Sequence, residues 1–151
     1  MSLQVILPFI FDHYEDVKAI IEEDPNDLYQ YILDYGLATK KILYLDYRGE
    51  EGREIVNYIL DYEFERGIEL ASEDVMEELD EMMDYAFVQD KVKVVNQRIA
   101  PAGYGLFFYP TTGDFYALFL SKLEYKEQLL QVETLDDENM PEQERYIKYY
   151  L

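Results

Sequence analysis

The sequence predicts an α+β fold: a small mixed or antiparallel sheet of about three strands, including a late β-hairpin, surrounded by five or six helices. Three observations carry that prediction. Apolar residues recur at helical spacing from Tyr14 to Ile99, while Ile42 to Leu45 is a short, wholly apolar run flanked by Lys40, Lys41 and by Asp46 to Gly49. Late in the chain, the aromatic runs Leu106 to Tyr109 and Phe115 to Leu120 are separated by Pro110, Thr111, Thr112, Gly113 and Asp114, which is hairpin chemistry. A length of 151 residues with 49% apolar content suffices for one buried core, so residues 1–151 are expected to form a single domain.

Taken in order, Asp12 with Glu15 three residues later reads as a cap before Tyr14, Val17, Ile20 and Ile21, a helix ending before Pro25. Leu28, Tyr31, Ile32 and Tyr35 continue the spacing in a second helix, with Gly36 closing it. The run from Ile42 to Leu45 predicts a strand buried on both faces. Tyr58, Ile55, Ile59 and Tyr62 predict a third helix, from about Glu50 to Arg66. Ser72 caps a fourth, whose apolar stripe is Val75, Met76, Leu79, Met82, Met83, Ala86 and Phe87.

Val92, Val95 and Ile99 then predict a helix around Asp90 to Ile99, stopped by Pro101 and Gly103. After the hairpin, Ser121 and Glu124 form a capping box for a helix through Val132, and Pro141 opens a last short helix toward Tyr149. A predominantly helical fold with one hairpin is the alternative. The pentapeptide Tyr-Ile-Leu-Asp-Tyr occurs at Tyr31 to Tyr35 and again at Tyr58 to Tyr62, but two copies fall short of the three that a repeat array needs.

Charge narrows the function classes. The formal net charge is −20, from 33 acids and 13 bases, so nucleic acid and anionic membrane are expected not to be partners. The imbalance is local: Glu50 to Asp90 holds fifteen acids against Arg53 and Arg66, whereas Lys91 to Lys126 holds five bases against Asp114 and Glu124. With no cysteine, disulfides, thiolate metal sites and cysteine nucleophiles are excluded, and a cytoplasmic location is expected. Val5 to Phe11 is too short to span a bilayer and has no basic residue before it, so neither signal nor anchor is expected.

Candidate chemistry is sparse. His13 is the only histidine, has no nucleophile motif near it, and reads as a surface residue of a first helical turn. Gly49-Glu50-Glu51-Gly52 lacks the lysine of a phosphate loop and is acidic, and Asp136 to Asn139 lacks the alternation and the glycine of a calcium loop. No cofactor or metal is expected. Asp46 directly follows a strand, where open sheets place ligands, although an acid there also caps the following turn. Asp114 has the same two readings in the hairpin. Sixteen tyrosines without a tryptophan is a bias that core packing does not require, and tyrosine is enriched at protein interfaces.

Two strings, Ile42-Leu43-Tyr44-Leu45-Asp46-Tyr47-Arg48-Gly49-Glu50 and Gly113-Asp114-Phe115-Tyr116-Ala117-Leu118, resemble recurring segments of an uncharacterised, mainly bacterial domain family of unknown function. The resemblance covers most of the chain in order. It implies an α+β domain and transfers no catalytic residue.

The expected function is therefore a protein-binding module, not an enzyme, that meets a basic protein through an acidic, tyrosine-bearing surface, as an immunity protein, an antitoxin or a regulator does. The expected binding residues are Asp46, Tyr47, Glu77, Glu78, Glu81, Asp114 and Tyr116. A carboxylate or metal-dependent hydrolase is the alternative, since such chemistry needs only two or three acids.

Overall fold

The structure, a computed structural model, describes residues 3–22, 27–50, 52–82 and 87–151. Pro25, Glu51, Met83 and Ala86, used above, lie outside them. The described elements run α1 (Leu7–Ile10), α2 (Tyr14–Glu22), α3 (Leu28–Ala38), β1 (Leu43–Asp46), α4 (Glu54–Arg66), α5 (Glu73–Asp80), α6 (Val88–Ile99), β2 (Tyr104–Tyr109), β3 (Phe115–Lys122), α7 (Lys126–Gln131) and β4 (Lys148–Tyr149). The fold is α+β, with an antiparallel sheet in the order β1-β3-β2-β4.

The sheet therefore has four strands among the described residues, not three. Pro141 does open a short 3-10 turn, Glu142–Arg145, but the chain then becomes the fourth strand, Lys148–Tyr149, where the sequence predicted that helix to continue, and it pairs with Phe107 and Phe108. Gly105 makes room for it: a Cβ there would lie 2.6 Å from the Tyr149 ring. Asn96, buried on α6, takes the Leu106 amide at 2.7 Å and donates to the Tyr150 carbonyl at 2.6 Å, which ties the chain's end to the sheet.

Side-chain alternation divides the core. Phe107, Tyr109, Ala117 and Phe119 face α1, α2, α3 and α7, while Leu106, Phe108, Leu118 and Leu120 face α4, α5 and α6. The central strands β2 and β3 are consequently the ones buried on both faces, and their unbroken apolar runs follow from that. β1 is an edge strand instead. It pairs only with β3, and Tyr44 in its middle is 52% exposed, so apolarity there reflects aromatic stacking on Phe115 rather than full burial.

Helix boundaries differ from expectation for identifiable reasons. Asp12 gives its carboxylate to Arg66, at 2.7 and 2.8 Å, and not to the start of α2. Gly36 lies inside α3, where a Cβ would collide with the Ile42 side chain, so it serves close packing, and the left-handed residue beyond the helix is Lys40. Ser72 does cap α5, accepting from the Val75 amide at 3.3 Å, but α5 ends at Asp80 and exposed Phe87 precedes α6. Ser121 is no cap. It is buried in β3 and donates to the Phe9 carbonyl at 2.6 Å, because pairing with β2 continues through Lys122, and α7 starts only at Lys126.

Candidate functional site

Four of the sequence-predicted residues meet at one end of the sheet. Asp46 ends β1, and the next residue, Tyr47, donates its amide to the Asp114 carbonyl of the β2–β3 hairpin at 3.3 Å. Tyr116 lies one place from Phe115, the partner of Asp46, with its ring edge-on to Phe108. The Asp46 carboxylate accepts from the Arg48 amide at 2.9 Å and from Arg48 Nε at 3.3 Å. The backbone bond, more than the guanidinium, holds its carboxyl below the usual range. The Asp46 carbonyl takes the Gly49 amide at 2.9 Å, so this acid shapes the turn after β1. Tyr47 is exposed, with Arg48 over its ring.

Glu77, Glu78 and Glu81 lie apart from that cluster, on α5. This helix buries Met76 and Leu79 and turns its acids outward, as the 3.6-residue period requires. Glu78 pairs with Arg98 at 2.6 Å and Asp80 with Arg53 at 3.0 Å. Among the described residues, Glu69, Glu73, Asp74, Glu77 and Glu81 have no basic partner. A depression of about 390 Å³ on one flank of α5 is lined by Asp74, Glu77, Glu78 and Glu81 around Leu79, Met82 and Val94. On the other flank, a groove of about 840 Å³ separates α5 from α4.

Two features escaped the sequence reading. Lys91 and Glu50, each with only 4% of the side chain exposed, form a buried ion pair that ties the turn after β1 to α6. Glu50 also accepts the Ile55 amide at 2.9 Å at the start of α4. A signal for Lys91 existed: it falls between Val88, Val92 and Val95 on the buried stripe of a helix.

The second is Tyr58. Extending the β1–β3 register by two residues pairs Lys41 with Leu120, yet there the Tyr58 hydroxyl intervenes, donating to the Lys41 carbonyl at 2.6 Å and accepting from the Leu120 amide at 3.3 Å. Burial pushes this hydroxyl's pKa well up. Above it lies a groove of about 660 Å³ between the open edge of β1 and α4, which includes Tyr44, Tyr62, Phe64 and Arg66. Arg66 stacks on the Tyr62 ring at 3.5 Å while gripping Asp12.

Among the described residues, no group of three or more His, Asp or Glu is placed to hold a metal ion, and no helix is long and apolar enough to cross a membrane. Fold and surface together define a class: an α+β domain whose antiparallel sheet carries helices on both faces, with uncompensated acids along one helical flank. Within that class the chain belongs to the family described as "Domain of unknown function (DUF6630)", whose model matches residues 7–137. Neither a curated protein nor a solved structure matches it.

Proposed function

We propose that this domain is a non-enzymatic protein-binding module that engages a basic protein through the acidic surface centred on α5. The observation that carries the reading is the charge at the C-terminal end of that helix. Glu77, Glu78 and Asp80 stand in its last turn, Glu81 caps it, and the turn holds no base of its own; Arg98 and Arg53, from elsewhere in the chain, pair with Glu78 and Asp80 and leave Glu77 and Glu81 uncompensated. A helix C-terminus carries partial negative charge, so each such acid costs on the order of 0.3–1 kcal/mol. Acids held against a local rule, with apolar floor residues beside them, serve a purpose other than the stability of α5. The exposed Tyr47 and Tyr44, near Asp46 and Asp114, offer the same contact chemistry at the sheet end, apart from α5.

The test is a charge reversal. Glu77→Lys, Glu78→Lys and Glu81→Lys together change an exposed face and leave the far-ultraviolet circular dichroism unaltered. A basic partner captured from native lysate on the wild-type domain, and released by a salt gradient, is then followed kinetically. The variant associates far more slowly with little change in dissociation, and the wild-type rate falls as salt shortens the Debye length from about 10 Å at 0.1 M. A wild-type association rate indifferent to salt overturns the reading.

A further inference from the structure

We propose that the groove between α4 and α5 is the seat of one amphipathic, cationic helix of the partner. The inference rests on the acidic-surface reading and adds to it the place, the secondary structure and the apolar anchors of the contact. The groove, about 840 Å³, has a floor of Leu60, Ala71 and Met76. Its walls carry Glu63, Glu69, Glu73, Glu77, Asp80 and Glu81 against one base, Arg53, which Asp80 already holds at 3.0 Å. An apolar floor between acidic rims is complementary to a helix with leucine-like residues on one stripe and lysine or arginine on both flanks.

Secondary structure is chosen by the walls. Both are helices whose backbone groups bond within themselves, so they offer no edge to an extended peptide, which would leave its own amides and carbonyls unpaired. A helix satisfies its backbone internally and brings only side chains. α4, with thirteen residues, is about 20 Å long at 1.5 Å per residue, enough to accompany three to four turns of a partner.

The floor of the groove supplies the anchor. Leu60 of α4 is 38% exposed there, whereas Phe64, one turn on, lines the separate groove between β1 and α4. An apolar side chain left part exposed between acidic walls gains from being covered by an apolar stripe.

The probe is a pair of labelled 18-residue peptides of one composition, leucine and lysine. In one, leucine recurs at helical spacing; in the other, leucine and lysine alternate as in a strand. Fluorescence anisotropy against the wild-type domain, Leu60→Ser, Phe64→Ser, and Glu73→Lys with Glu77→Lys separates the contributions. The helical peptide binds more tightly than the alternating one. Leu60→Ser, which alters a part-exposed side chain and keeps the fold, weakens it about tenfold while the slope of affinity against salt stays the same. Phe64→Ser, in the neighbouring groove, leaves it unchanged, and the charge reversals reduce the slope.

Three results overturn the proposal. If the alternating peptide binds as well or better, the seat is not for a helix. If Leu60→Ser leaves the affinity unchanged while charge reversal abolishes it, the acidic-surface reading stands and the groove is not the contact. If neither peptide binds with salt dependence, the acidic-surface reading itself fails.

Discussion

Substituting Lys91 by Met should destabilise the domain by about 3–5 kcal/mol, the usual cost of leaving one partner of a buried ion pair without its countercharge. The structure places this case at the buried limit, since the Lys91 and Glu50 side chains are each 4% exposed. Once Lys91 is gone, the Glu50 carboxylate retains the Ile55 amide at 2.9 Å but has lost its cation. For a domain whose total stability is about 5–15 kcal/mol, that loss is about a fifth or more. Replacing both residues by Met removes both charges and fills similar volume, so the double variant should lie within about 1–2 kcal/mol of wild type, the remainder being the lost bond at the start of α4. Urea unfolding followed by circular dichroism measures wild type, Lys91→Met, Glu50→Met and the double variant, and the comparison is valid where the denaturant slopes agree. The reasoning is refuted if Lys91→Met costs under about 1 kcal/mol, or if the double variant is as unstable as the two singles added together.

Tyr58→Phe should cost about 1–3 kcal/mol in the same assay, because the Lys41 carbonyl and Leu120 amide both lose their bridge; equal urea midpoints would refute the bridging role. Ser121→Ala should cost about 1 kcal/mol through the loss of the bond to Phe9, and hydrogen exchange should quicken around α1 and not around α7. Tyr35, through its bond to Asp16, and Tyr29, through burial, have pKa values pushed up to about 12. Raised values favour the folded state below pH 10, and that contribution is lost as pH climbs through about 12, so phenolate absorbance should rise in two stages; one stage near 10 for all sixteen tyrosines would refute this. Burial works against the Asp12 carboxylate, but the Arg66 bond and charge outweigh it and hold its pKa below the usual range. Its contribution is therefore present above about pH 4 and fades as pH falls through the lowered value, so Asp12→Asn should flatten the acid limb of a stability profile.

Local pattern made the hairpin and the helix at Val88–Ile99 legible, since alternation, turn residues and 3.6-residue spacing are all short-range signals. What failed needed knowledge of distant partners. Lys148–Tyr149 is strand only because β2 offers an open edge and Gly105 admits Tyr149, and nothing within Tyr146 to Leu151 says so. Ser121 and Glu124 have the spacing of a capping box, yet β3 keeps pairing through Lys122 and takes Ser121 into the core. Here tertiary pairing prevailed over a local capping signal, whose worth is only about 1 kcal/mol.

The acidic helix and its neighbour were both readable in the sequence, and the groove between them was not. Charge on α5 follows from residue identity and helical phase, both of which a sequence displays. Its groove depends on how α4 lies against α5, which no spacing within either helix fixes. Read along the chain, Leu60 is an ordinary apolar residue of a long helix, and its part exposure on the groove floor emerges only when the buried face of α4 proves to be Ile55, Val56 and Ile59, while Phe64, one turn on, lines the separate groove beside β1. An apolar residue left part exposed and a neighbouring helix carrying acids at its unfavourable end are each a departure from what stability alone would select. Their adjacency in space is the argument for one surface with one partner: independent surface irregularities have no reason to share a groove, whereas a cationic amphipathic ligand requires both.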